Sequence, residues 1–321
     1  MARTKRLFKN FLRLLLPVVF LILLSVLSSS VWLVYVSSHP RTSTYLVTPA
    51  KYGQLSSRAA QVTEESWTNS DGTAARGWLL RGVDGAPGII LLHKYGADRS
   101  YTLNLGVKLS EATNYTVLMP DQRGHGENPP VKYTSFGGQE ADDVIAALRY
   151  MQNLKSSSQT PLVGKEFGIY GVEMGAMAAI SAAARDTSVK TLVLDSVPQN
   201  PDAVLSKAVQ IRFPFASSIT SGIAKLGTPI YFFDGSYRMT PSCEQAKSLA
   251  GRKVLLLGGL DAPDFRLSTQ EIGKCLSAAS QSETKTDLSP SGYSIADATI
   301  DQADAYDQRV IDFFRQSFLN G

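Results

Sequence analysis

The chain has 321 residues, 44% hydrophobic and 19% charged, with a formal net charge of +4. This is the composition of an ordinary globular protein, and it excludes disordered and collagen-like chains. The charge is uneven: Arg3, Lys5, Arg6, Lys9 and Arg13 are five of the 32 basic residues, no acidic residue occurs before Glu64, and the other 27 basic residues face 28 acidic ones. The bulk of the protein is therefore near neutral, without the basic footprint of a nucleic-acid-binding protein.

Leu14 to Val36 runs 23 residues without a charge, enough to cross a hydrocarbon core of about 30 Å as a helix. The basic residues before it place the N-terminus in the cytoplasm, and the soluble domain extracytoplasmic, by the positive-inside rule. A cleaved signal peptide would have an apolar region of about 7–15 residues ending in an A-x-A-like site. This run is longer, and only Ser28–Ser30 is small, which favours an uncleaved signal anchor. The expected organisation is a cytoplasmic basic tail (1–13), a transmembrane helix (14–36), a linker (37–54) and one domain (55–321). The membrane is a partner through residues 14–36, and the cell membrane is the expected location. Trp32 and Tyr35 suit the outer interface.

Beyond the linker, loose alternation through Val62 and Trp67, the turn signal Asn69-Ser70-Asp71-Gly72, and Trp78-Leu79-Leu80 predict an antiparallel strand pair at a sheet edge. Continuous apolar runs follow at 88–92, 116–119, 166–170, 189–194 and 253–257. Helical stretches alternate with them at about 99–112, 135–154, from 175 and from about 241, and the last helix runs from Ala303 to Phe318. Runs apolar on both faces, alternating with helices, predict a mostly parallel sheet flanked by helices, an α/β fold. The stretch 198–229 reads as a helical insertion, a possible lid. Asp142 and Asp143 read as a solvated helix start, favoured by the helix dipole. Cys243 and Cys275 fall on the exported side, where a disulfide is chemically stable; whether they pair depends on a Cα separation below about 7 Å, which the spacing leaves open. Two thiols without a nearby histidine make a poor metal site, and no cofactor motif is present.

Phe167 to Gly171 reads as a strand and Met174 to Ala184 as an Ala-rich helix, with Gly171-Val172-Glu173-Met174-Gly175 between them. A strand, a tight turn flanked by glycines and a helix make a nucleophile elbow, which holds its central side chain above the sheet. Here that side chain is Glu173.

Three further segments resemble the α/β-hydrolase superfamily. Ile89 to Gly96 (IILLHKYG) resembles the strand and loop that supply part of the oxyanion hole. Pro120 to Gly126 is similar to the D-x-R-G-H-G turn of esterase- and lipase-like members, and Leu256 to Asp261 resembles the strand end that presents the catalytic acid. The resemblance runs from about Arg76 to Phe318 and implies the α/β-hydrolase fold. It assigns the oxyanion loop to His93, Lys94 and Tyr95 with Met174, a structural turn to Asp121, Arg123 and His125, and the remnant of the acid to Asp261. The family also needs a serine at the elbow and a histidine after the last strand. The histidines are His39, His93 and His125, all before the elbow, and Tyr293 stands at the expected histidine position. Dehalogenases and epoxide hydrolases of this fold use an elbow aspartate, but they release its ester with the same missing histidine. The expectation is a membrane-anchored pseudoenzyme that binds a small molecule or a protein; the alternative is an ester or carbon–halide hydrolase using Glu173 as nucleophile or base. A carboxylate on the elbow is further expected to bend into the oxyanion site and occupy it.

Overall fold

The computed structural model describes residues 2–41, 45, 47–55 and 61–319. The chain falls into two compact units, His39–Val204 with Ser236–Gly321, and Met1–Ser38 with Leu205–Gly235.

The larger unit is built on an eight-stranded sheet: β1 (Val62–Thr68), β2 (Ala74–Leu80), β3 (Ala86–Leu92), β4 (Thr116–Pro120), β5 (Val163–Val172), β6 (Val189–Asp195), β7 (Lys253–Gly259) and β8 (Gln281–Leu288), in the order β1-β2-β4-β3-β5-β6-β7-β8. The β1–β2 and β2–β4 pairings are antiparallel and the others parallel. The expected edge hairpin is present, its turn closed by the Gly72 N–H on the Asn69 carbonyl at 3.0 Å. β3 shows why the central strands read as unbroken apolar runs. Ile89 and Leu91 enter a core with α3 (Leu103–Thr113) and α10 (Ile300–Leu319). Ile90 and Leu92 enter the opposite core, with α4 (Glu140–Gln152), α5 (Met174–Ala183), α8 (Ser242–Ala246) and α9 (Pro263–Cys275). Both faces are covered, so alternation disappears; each such buried side chain contributes about 1.5–3 kcal/mol.

Three features differ from the sequence-based expectation. β8 carries the polar sequence QSETKTDL, exposed until Lys285 and buried only at Leu288. It lacks an apolar run because it is an edge strand, held by backbone pairing to β7 from Lys253–Gln281 to Gly259–Leu288. The helix expected at 135–154 starts at Glu140. Before it the chain wraps around the Glu140 carboxylate, which accepts the Ser135 N–H at 2.9 Å and the Gly137 N–H at 2.9 Å. Asp142 and Asp143 are not a solvated pair: Asp143 accepts from Arg123 Nε at 2.7 Å, and Asp142 from Arg185 at 2.6 Å. Arg123 is almost wholly buried, and a buried guanidinium requires a carboxylate partner. The open question of the cysteines is answered by a disulfide between Cys243 in α8 and Cys275 at the end of α9, with Cα atoms 5.4 Å apart.

A short helix, α2 (Pro49–Leu55), spans the end of the expected linker. In the smaller unit, the expected tail and span form one helix, α1 (Ala2–Ser38). Its portion Arg13–Ser38 is long and apolar enough to cross a membrane. The expected helical insertion comprises α6 (Pro201–Arg212) and α7 (Ser217–Tyr231); from Leu205 onward it belongs to the unit containing α1.

Candidate active site

β5 delivers the chain to Glu173 and α5 starts at the next residue. Glu173 has φ 51° and ψ −112°, a conformation that side-chain-bearing residues rarely adopt and that is found where surrounding structure enforces it. The flanking glycines show what enforces it. A Cβ on Gly171 would lie 2.5 Å from the Gly175 carbonyl oxygen, and one on Gly175 would lie 2.7 Å from the His93 carbonyl oxygen. Strand, turn and helix touch through bare backbone at both places.

The Glu173 side chain is buried. Its Oε2 accepts the Tyr95 N–H at 2.8 Å and the Met174 N–H at 3.4 Å. In an elbow of this geometry, the donors for a developing oxyanion are the N–H after the nucleophile and one from the loop after β3. Those two donors converge here on the side chain of the elbow residue itself.

The loop after β3 is pinned by imidazoles. His93 Nδ1 donates to the Lys94 carbonyl at 2.9 Å while Nε2 accepts the Gln122 N–H at 3.0 Å. His125 Nδ1 donates to the Arg123 carbonyl at 2.9 Å and its Nε2 accepts the Gly96 N–H at 3.0 Å. Each ring needs one protonated and one bare nitrogen, so each is a neutral imidazole. Burial lowers the His93 pKa, and burial with the neighbouring His93 lowers His125 to about 3. Asp121 accepts from Tyr45 at 2.7 Å, Arg76 Nε at 3.1 Å and the Arg99 N–H at 3.0 Å. The turn 121–125 thus braces the loop that presents Tyr95.

On the opposite side lies the segment 291–293, where the resemblance expects a histidine. Asp261 accepts the Ser291 hydroxyl at 2.9 Å and its N–H at 3.2 Å. Lys94 Nζ donates to the Tyr293 carbonyl at 2.6 Å and lies 4.3 Å from the centre of the Tyr293 ring. Burial raises the Tyr293 pKa, and the charges of Glu173 and Asp261 add to the shift. Glu173, Lys94, Tyr95, Met174, Tyr293 and Asp261 therefore gather around the elbow, whereas Asp121, Arg123 and His125 form the turn behind it.

Sequence reasoning missed Asp195, Tyr101 and Ser291. Asp195 ends β6 fully buried, accepting the Gly292 N–H at 2.8 Å, the Tyr306 hydroxyl at 2.8 Å and the Ser196 hydroxyl at 2.7 Å. Burial raises its pKa, and these three donors pull it back. Its signal was an aspartate closing an apolar run. Tyr101 donates to the Gly292 carbonyl at 2.5 Å, and nothing in the local sequence marks it. Chemically, the site offers a carboxyl group already bonded to backbone donors, a tyrosine and an ammonium group. The elbow residue carries no hydroxyl or thiol, and the imidazoles of His93 and His125 are bonded to backbone groups. Among the described residues, no group of three or more acidic, histidine or cysteine side chains is arranged to hold a metal ion.

No protein-family model and no curated protein sequence matches the chain. Solved structures do. An esterase of Pyrococcus furiosus, Pf2001, superposes with a TM-score of 0.63 at 19% identity, covering 87% of this chain and 98% of its own. The α/β hydrolase GrgF from Penicillium sp. sh18 gives 0.56 at 15% identity, over 80% of this chain and 99% of its own. A dienelactone hydrolase from Anabaena variabilis gives 0.53 at 14% identity, over 80% and 98%. The protein has the α/β-hydrolase fold. Such low identities carry the architecture and not the chemistry.

Proposed function

We propose that this protein is a membrane-anchored pseudohydrolase, a non-catalytic α/β-hydrolase-fold domain that binds a small molecule or a protein. The carrying observation is the Glu173 carboxyl group on the Tyr95 and Met174 N–H groups. A donor pair of this kind accelerates acyl transfer by receiving charge that develops on the substrate; donors already engaged by a fixed side chain are not available for that. Serine-type chemistry also needs a base to take the nucleophile's proton. The two buried imidazoles have both nitrogens engaged by backbone, and Asp261 holds Ser291 instead of a histidine. In this reading the apolar helix α1 is the anchor, and the basic residues at its start support an extracytoplasmic domain by the positive-inside rule.

The test is a panel of short-chain aryl esters and haloalkanes, assayed with the full-length protein beside Glu173→Gln. The expected result is no turnover by either, together with no labelling by a fluorophosphonate probe. Turnover abolished by Glu173→Gln would replace this reading with a carboxylate-based hydrolase.

A further inference from the structure

The helix α7 is inside out by the standards of a water-soluble helix. Its buried residues are Ser221, Ala224, Gly227 and Thr228, all small. Of its large apolar residues, Ile219, Leu226 and Ile230, at spacings of seven and four, are exposed along one stripe, and Ile223 is half-buried. At the two ends the stripe is extended by Phe215 and Phe233, which are 90% and 88% exposed. From Phe213 to Phe233 the sequence contains a single charged side chain, Lys225.

The small face is turned to α1. A Cβ on Gly227 would lie 2.5 Å from the Ser30 carbonyl group, so the two backbones are in direct contact there. Tyr231 lies 6.3 Å, ring to ring, from Tyr35 and meets the Ser38 hydroxyl at 3.2 Å. Small residues at the helix contact and large apolar residues facing outward is how helices pack in lipid, where burying large side chains against each other brings no hydrophobic gain. The exposed apolar surface also continues along α1 itself, through Leu14 to Leu24.

We propose that α7 with its flanking phenylalanines is a second membrane-embedded element whose exposed stripe is covered by lipid acyl chains. The proposal rests on reading α1 as the membrane span. With 15 residues, α7 is about 22 Å long, too short to cross a core of about 30 Å. It therefore lies within one leaflet. Its contacts with Ser30, Tyr35 and Ser38 select the leaflet at the C-terminal end of α1, away from the basic tail. Trp32 and Phe213, with ring centres 5.7 Å apart, then sit at the interface, where aromatic rings are favoured. The hydrolase-fold domain is thus attached to the membrane at two points of its sequence.

The test uses the full-length protein in phosphatidylcholine vesicles, labelled without reduction through single cysteines replacing Phe215, Ile219, Leu226 or Phe233. Phe20→Cys on α1 and exposed Asn153→Cys at the end of α4 serve as controls. An environment-sensitive fluorophore at the four test positions is expected to be quenched at least about twofold more than at Asn153 by lipids brominated near the headgroup end of the chain, the depth of an interfacial helix. Labels at these positions that behave like Asn153 would overturn the proposal, whatever Phe20 does. Disulfide-linked dimers forming through the unlabelled cysteines, without quenching of the labelled ones, would overturn it in favour of a second copy of the chain covering the stripe. A Phe20 label that is not quenched would instead overturn the spanning role of α1.

Discussion

Glu173 sits in a backbone conformation that costs free energy for any residue with a side chain, yet its carboxyl group makes two bonds to buried N–H groups. Removing the acceptor breaks the bond from the Tyr95 N–H, and truncating one partner of a buried hydrogen bond costs about 1–3 kcal/mol. Glu173→Ala is therefore expected to lose about that much stability in denaturant titrations, with Glu173→Gln losing less because its amide oxygen still accepts. An unchanged midpoint for Glu173→Ala would count against the carboxylate as a permanent occupant of the site. The buried histidines make a separate prediction. The His125 pKa is about 3 when folded and about 6.5 when unfolded, so the unfolded chain binds the proton first as pH falls. The stability held by this neutral ring is complete above about pH 6.5 and declines towards pH 3, by about 1.4 kcal/mol per pH unit. His125→Gln keeps an acceptor for Gly96 and should flatten that part of the profile; a wild-type profile that already lacks the slope would refute the assignment.

The strand-to-helix turns are where the elements of this fold become specific. Gly171 and Gly175 were legible as an elbow because two glycines around one residue signal close backbone approach, and both approaches are present. The edge strand β8 was not legible, because its stability comes from pairing with β7 rather than from its own side chains. The same holds for the late start of α4, set by a loop folded around the Glu140 carboxylate. At this scale the Cys243–Cys275 bridge ties α8 to α9 across a separation of 32 residues. A cross-link of that span restricts the unfolded chain by about 3–4 kcal/mol. The Cys243→Ser/Cys275→Ser double variant should melt at a correspondingly lower temperature. A melting curve insensitive both to that change and to reductant would show that the bridge does not form in solution.

For the whole molecule, the basic residues near the N-terminus account for the excess positive charge, and the rest of the chain is near neutral. Under the proposed anchoring by α1, that charge serves membrane topology rather than an acidic ligand. Integral insertion of α1 predicts that the protein stays in the membrane pellet through alkaline carbonate and high salt and leaves it only in detergent. Release by salt alone would mean a peripheral attachment, since exposed electrostatic contacts are screened at high ionic strength.

The sequence by itself determined the alternation of buried strands and helices, the apolar N-terminal helix and the absence of a serine at the elbow or a histidine after β7. These are properties of residue type and periodicity, and they survive any arrangement of the chain. Only the tertiary structure decided the disulfide, the pairing of Asp143 with Arg123, and the role of Asp195 in holding the segment around Tyr293. It also decided where the Glu173 carboxyl group points, because Tyr95 and Met174 are 79 residues apart in sequence and their N–H groups converge only when β3 and β5 lie side by side.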